Sequence, residues 1–245
     1  MLTDLGLSAW AVAAAPTVKT HDLDVPRIGY VHSWTRTQDE GWVRAALDTY
    51  GVPYTYFADQ KLRDGNLRAK YDVIIYPHVG GTPTSQVNGM AMVGAAPLPY
   101  KKTEATPNLG FVDTSDDIRG GMGIEGLLNL TKFVQDGGTL ITEGSTSTIL
   151  PAYGLTSGIT VESPAQLFVR GSIVRSKVAD PKSPLAYGFD GSDLPVYFNQ
   201  DPVLAVGGGG VPGGAVEGGA RAGACRGCRA AACGGGGARG GSRVG

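Results

Sequence analysis

The sequence predicts an α/β domain on an open, doubly wound sheet, with a β-rich part at its C-terminal end. Three observations lead there. A strand, a capped helix and a second strand open the ordered region. The run Asp72–Pro77 (DVIIYP) is a continuous apolar strand of the kind covered on both faces in a parallel sheet. A second helix-then-strand pair, over 124–142, repeats the alternation that builds layered α/β folds.

The elements follow in order from Arg27. Ile28–Ser33 (IGYVHS) is β-branched and aromatic, follows Pro26, and reads as a buried strand. Thr37 and Glu40 have the T-x-x-E spacing of a capping box, in which the hydroxyl takes an amide proton and the carboxylate reaches back to the cap. Trp42, Val43, Ala46, Leu47 and Tyr50 then recur at helical spacing, which predicts a core face, and Gly51 stops the helix. Tyr54–Phe57 is the second strand and Asp72–Pro77 the third. About 40 residues rich in Gly, Pro and Thr run from His78 to Asp117, a loop of functional length. Ile124–Gln135 carries apolar residues at helical spacing up to Gly137-Gly138, and Thr139–Thr142 returns as a strand. From Pro151 onward ITVES, QLFVRGSIVRSKV and LPVYF read as strands between turns.

Composition bounds the ordered region. Residues 207–245 hold 17 Gly, 8 Ala, 5 Arg and 3 Cys, and no Leu, Ile, Phe, Tyr or Trp. Such a segment has almost nothing to bury, so it is expected to be a disordered Gly/Ala/Arg tail, consistent with a GC-rich gene read out of frame. The tail carries a net charge of +4 and the preceding body −5. An acidic body argues against a nucleic-acid surface, and the Arg-Gly tail lacks the aromatics that stack on bases. Cys225, Cys228 and Cys233 all lie in the tail; a lone C-x-x-C with no second pair is not a zinc site. No apolar run reaches the about 18 residues of a membrane span. Residues 1–26 read as a linker: with Asp4, and no Lys or Arg before Lys19, they lack the basic start of a signal peptide.

Candidate chemistry gathers where the strands end. Open α/β sheets bind ligands beyond the carboxyl ends of their strands, and His32, His78, Glu143 and Ser145 all fall there. His78-Val-Gly-Gly81 directly follows the central strand, and the amides around Gly80 and Gly81 suit an anion. Asp39 is the acidic residue of Asp39-Glu40-Gly-Trp42 that neither the cap nor the core face accounts for. These seven are the candidate ligand-binding residues. Ser145 with His78 or His32 is also the pairing a hydrolase would need, although the G-x-S-x-G elbow is absent. Gly121, Gly123 and Gly126 form a G-x-G-x-x-G string with Glu143 17 residues beyond, the pattern of a dinucleotide site, but the preceding FVDTSDDIRG is no strand. His21 and Asp24 have H-x-x-D spacing without a third ligand or a base, so no metal set assembles.

Five segments carry a family resemblance: TRTQDEGWVRAALDTYGVPYTYFAD, LRAKYDVIIYP, GIEGLLNLTKFVQDGGTLITEGS, FVRGSIVRSKVADPKSPLAYGF and VYFNQDPVL. In order and in their DEGW and FVRGSIVR strings they resemble the C-terminal region of large secreted bacterial zinc carboxypeptidases of the carboxypeptidase A-like family. The resemblance covers roughly residues 26–204 and implies a flavodoxin-like, class I glutamine amidotransferase-like domain over 27–206. It also implies an extracellular or periplasmic location. The family's zinc-binding H-x-x-E and distant His have no counterpart here, and no Cys follows any body strand as the amidotransferase nucleophile would. The resemblance therefore implies an accessory domain alone, a fragment without cofactor. Zinc is expected only in a peptidase domain upstream of Met1, the natural partner, with peptide or glycan as further partners.

Overall fold

A computed structural model describes residues 10–19, 24–36, 38–169, 171–186, 189, 193–199 and 202–207. Thr37 of the expected capping box, His21, and the tail from residue 208 with its three cysteines lie outside the described residues.

Four strands form one sheet: β1 (Ile28–His32), β2 (Thr55–Ala58), β3 (Val73–Tyr76) and β4 (Thr139–Thr142), in the order β2-β1-β3-β4. Every neighbouring pair is parallel, with Gly29 opposite both Thr55 and Ile74, and Val73 opposite Thr139. The two strands with the longest apolar runs are the central ones, and Tyr30, Val31, Ile74 and Tyr76 are buried. β4 is an edge strand and reads accordingly, with Thr139 and Ile141 exposed. The expected α/β class is therefore observed.

Arg27 fixes where the sheet begins. Its guanidinium grips the Asp72 carboxylate through Nε and Nη2, its main-chain N–H donates to the same carboxylate, and its carbonyl accepts the Asp72 N–H. These bonds hold the Asp72 carboxyl well below the usual range and tie the start of β1 to the start of β3.

Helix α1 (Gln38–Thr49) follows β1, and its inward face includes the expected Val43 and Leu47 but not the expected Trp42, Ala46 and Tyr50. Trp42 is 74% exposed and Tyr50 83%, whereas Glu40 is buried and Val43, Arg44 and Leu47 are half-buried. The reason lies in what the sheet offers. Tyr30 donates its hydroxyl proton to the Glu40 carbonyl, Tyr56 to Glu40 Oε1, and Tyr54 to Asp48 Oδ1. The half-buried Tyr56 hydroxyl needs an acceptor and finds it in the Glu40 carboxylate, so the helix turns its 40-43-44-47 stripe inward and leaves the indole in solvent.

Between β2 and β3 the chain makes a 3₁₀ turn (Asp59–Asp64) and the single-turn α2 (Leu67–Lys70), burying Leu62 and Leu67. Helix α3 (Pro83–Asn88) starts with Pro83 in its first turn and a reciprocal Thr82–Ser85 cap. The segment after it is fastened by Arg119, which pairs with Asp117 and donates to the carbonyls of Val93 and Gly94. Helix α4 (Gly123–Gln135) then buries Leu127, Leu130 and Phe133 in the main core, against Leu62 and Ile74.

Helix α5 (Ile149–Ala152) leads into β5 (Ile159–Glu162), which pairs antiparallel with β8 (Val203–Val206). The strands β6 (Ser172–Lys177) and β7 (Asp193–Phe198) form an antiparallel hairpin that is a compact unit of its own. The expected β-rich C-terminal part is thus two separate two-stranded sheets.

Candidate functional site

The turn after β4 is locked to the end of β3 before any functional group is placed. Thr146, buried, has its hydroxyl within 2.8 Å of the Tyr76 carbonyl and accepts the Glu143 N–H. Gly144, at φ 51°, lets the chain reverse into a 3₁₀ turn over Gly144–Thr148. This geometry brings Ser145 against the loop that follows β3.

Two hydrogen bonds join them. The Ser145 main-chain N–H donates to His78 Nδ1 at 3.1 Å, and Ser145 Oγ accepts the Gly80 N–H at 2.9 Å. Since Nδ1 accepts, the neutral ring carries its proton on Nε2, which faces Asp39 Oδ2 at 3.8 Å. Gln86, almost fully buried, donates to the Gly80 carbonyl at 2.9 Å. Gly80 and Gly81 both have left-handed φ, and the Arg36 side chain lies close over them: a Cβ on Gly81 would meet Arg36 Nη1 at 2.7 Å. Burial raises the pKa of Glu143.

Six of the seven expected residues therefore come together: Asp39, His78, Gly80, Gly81, Glu143 and Ser145. His78, Gly80, Gly81 and Ser145 line a cavity of about 620 Å³ whose other wall includes Pro151 and β5. The seventh residue, His32, lies elsewhere. Its Nε2 is 2.9 Å from Asp113 Oδ2, its ring stacks on Tyr56 at 4.3 Å, and it lines a different cavity. Arg36 and Asp113 have no signal in the sequence, because each reaches its partner across a loop of no fixed period.

Three further features bear on chemistry. Ser145 meets His78 through its main-chain N–H, while its hydroxyl is held by Gly80. The G-x-G-x-x-G string opens α4 without a strand before it: from Met90 to Arg119 the chain makes only isolated bridges. Arg63 donates to the carbonyls of Gly120, Gly121 and Met122, and a Cβ on Gly121 would lie 2.5 Å from the Val87 carbonyl oxygen. Among the described residues no three His, Cys, Asp or Glu side chains are grouped to hold a metal, and no helix is long and apolar enough to cross a membrane.

Comparison with known protein families, with curated proteins and with solved structures finds no match to the chain.

Proposed function

We propose that this chain is a non-catalytic accessory domain of a secreted zinc metallocarboxypeptidase, flavodoxin-like and akin to the class I glutamine amidotransferases. It packs on the peptidase domain or binds peptide or glycan at the carboxyl edge of its sheet. The strand order supports the fold part of this reading, since flavodoxin-like sheets run 2-1-3-4-5 and four parallel strands here run 2-1-3-4.

One observation carries the functional part. The groups that would do chemistry at the sheet edge hold loops together: Ser145 Oγ accepts from Gly80, and the acceptor nitrogen of His78 takes a main-chain proton. A general base must present that nitrogen to the nucleophile. The test is an assay of the purified chain on peptides with and without added zinc. No hydrolysis is expected, and hydrolysis abolished by a chelator would overturn the reading.

The second reading is a hydrolase using Ser145 with His78, favoured by their contact and by the Asp39 carboxylate on the far side of the ring. It requires the hydroxyl to leave Gly80 and swing to the imidazole. Labelling of Ser145 by a fluorophosphonate would support it.

A further inference from the structure

We infer that the second cavity, on the His32 side of the sheet edge, is a saccharide-binding site that seats one neutral sugar ring. The inference rests on the reading of the chain as a binding module and names the ligand class for it.

The cavity has about 320 Å³ and opens between β1, β2, α1 and the loop after α3. Its apolar lining is aromatic apart from Val112. Trp34 and Tyr100 meet at a tilted angle with centroids 4.9 Å apart, and Phe111 stands at the wall 85% exposed, with almost nothing of this chain covering it. Aromatic walls with a few placed polar groups are the usual make-up of a small-molecule site.

The polar group that asks for a ligand is Glu40. Its side chain is 3% exposed, and Oε1 accepts from Tyr56, but Oε2 is buried without a hydrogen-bond partner. Leaving a buried carboxylate oxygen unpaired is costly, so a donor is owed to it. A cationic donor such as an ammonium group would supply one, and so would a neutral hydroxyl.

The neighbouring charges choose between them: the cavity's other acid, Asp113, is already bonded to His32 Nε2 and accepts the Ala58 and Thr114 N–H groups. Arg44 lies with its guanidinium carbon 4.2 Å from the Tyr56 ring centroid and lines the same cavity. His32 and Tyr30 also stack on the Tyr56 ring. The cation position over that ring is thus filled from within the chain, and an incoming ammonium would sit against a guanidinium. A sugar hydroxyl meets no such opposition. It can donate to Glu40 Oε2 while a neighbouring hydroxyl accepts from Arg44, and the C–H face of the ring lies on Trp34, Tyr100 or Phe111. A ligand that both donates and accepts, with an apolar face, is what this set of groups recognises.

The experiment is saturation-transfer NMR of the full chain with methyl glucoside, cellobiose, maltose and chitobiose, and separately with Nα-acetyl-lysine methyl ester. At least one sugar is expected to give transfer to its ring C–H protons. Methyl glucoside against the disaccharides tells a free sugar from one unit of a chain. Phe111→Ala, at an exposed position that folding does not need, is expected to weaken binding at least about five-fold, and Glu40→Gln about ten-fold. Absence of transfer to every sugar overturns the inference, as does transfer unchanged by Phe111→Ala, or binding of the lysine ester at this cavity in place of sugar. None of these outcomes touches the peptidase-accessory reading, which the hydrolysis assay tests by itself.

Discussion

The main-chain N–H of Ser145 donates to Nδ1 of His78 at 3.1 Å, so the loops after β3 and β4 are joined ring to backbone at the carboxyl edge of the sheet. The return bond runs from the Gly80 N–H to Ser145 Oγ. Together they form a clamp whose two halves come from segments 65 residues apart.

Ser145→Ala leaves the Gly80 amide without its acceptor in a part-buried place. The expected cost is about 1–2 kcal/mol, the usual size for one lost hydrogen bond with a partner left behind. Urea denaturation measures it. On the clamp reading the variant loses stability and the parent protein takes no fluorophosphonate label. A stable variant together with labelled wild-type Ser145 would favour the hydrolase.

Gly121→Ala separates packing from phosphate binding at the G-x-G-x-x-G string. A methyl group there would lie 2.5 Å from the Val87 carbonyl oxygen and 2.6 Å from the Gly89 nitrogen, on a backbone at φ 36°. Close main-chain packing predicts a loss of about 1–3 kcal/mol, as for other overpacked sites. The same reading predicts no heat on titrating the wild-type chain with NAD or NADP. A micromolar dinucleotide titration would show that the glycines serve a ligand instead.

The parallel sheet was legible in the sequence because its strands satisfy a strong local rule. IGYVHS and DVIIYP are short, apolar, and closed by turn residues, and both became central strands. The strand that the sequence predicts over Thr139–Thr142 has those bounds in the structure. The candidate site was legible as strand-end positions, which gathered six of seven residues but could not tell the His78 side from the His32 side. That division depends on Asp113 reaching His32 and the Ala58 N–H from a loop 55 or more residues further on. The 3₁₀ turn and α2 between β2 and β3 leave no sequence signal because their two buried apolar anchors, Leu62 and Leu67, are too few to show a period.

Asp59 gives the fold a pH dependence of its own. It is 1% exposed, its Oδ1 has no hydrogen-bond partner, and burial pushes its pKa up to about 7 despite the Gln60 N–H and Arg63. A carboxyl that holds its proton more tightly folded than unfolded favours the native state at low pH. That contribution shrinks as pH rises from about 4, the unfolded value, and is gone above the folded value. Asp59→Asn removes the titration. Its unfolding midpoint relative to wild type is therefore expected to rise between roughly pH 4 and 7 and to level off above that. Two parallel stability curves over that range would show that Asp59 titrates normally.

Trp42 is where helical periodicity misled, and the error is measurable. The expected face of Trp42, Val43, Ala46, Leu47 and Tyr50 shares Val43 and Leu47 with the observed 40-43-44-47 stripe and differs from it at Trp42, Ala46 and Tyr50. Burial went to the second, where the Glu40 carboxylate accepts the Tyr56 hydroxyl that an apolar side chain at this position would have left unpaired. With 74% of its surface in solvent, Trp42 contributes little to the isolated domain. Trp42→Ala is expected to change stability by no more than about 0.5 kcal/mol, against about 3–5 kcal/mol for an indole removed from a core. On the accessory-domain reading the same change weakens docking to the peptidase domain. A pull-down with that domain supplied as a separate chain reads the effect. Lost stability without lost docking would return Trp42 to the core and remove α1 from the docking face.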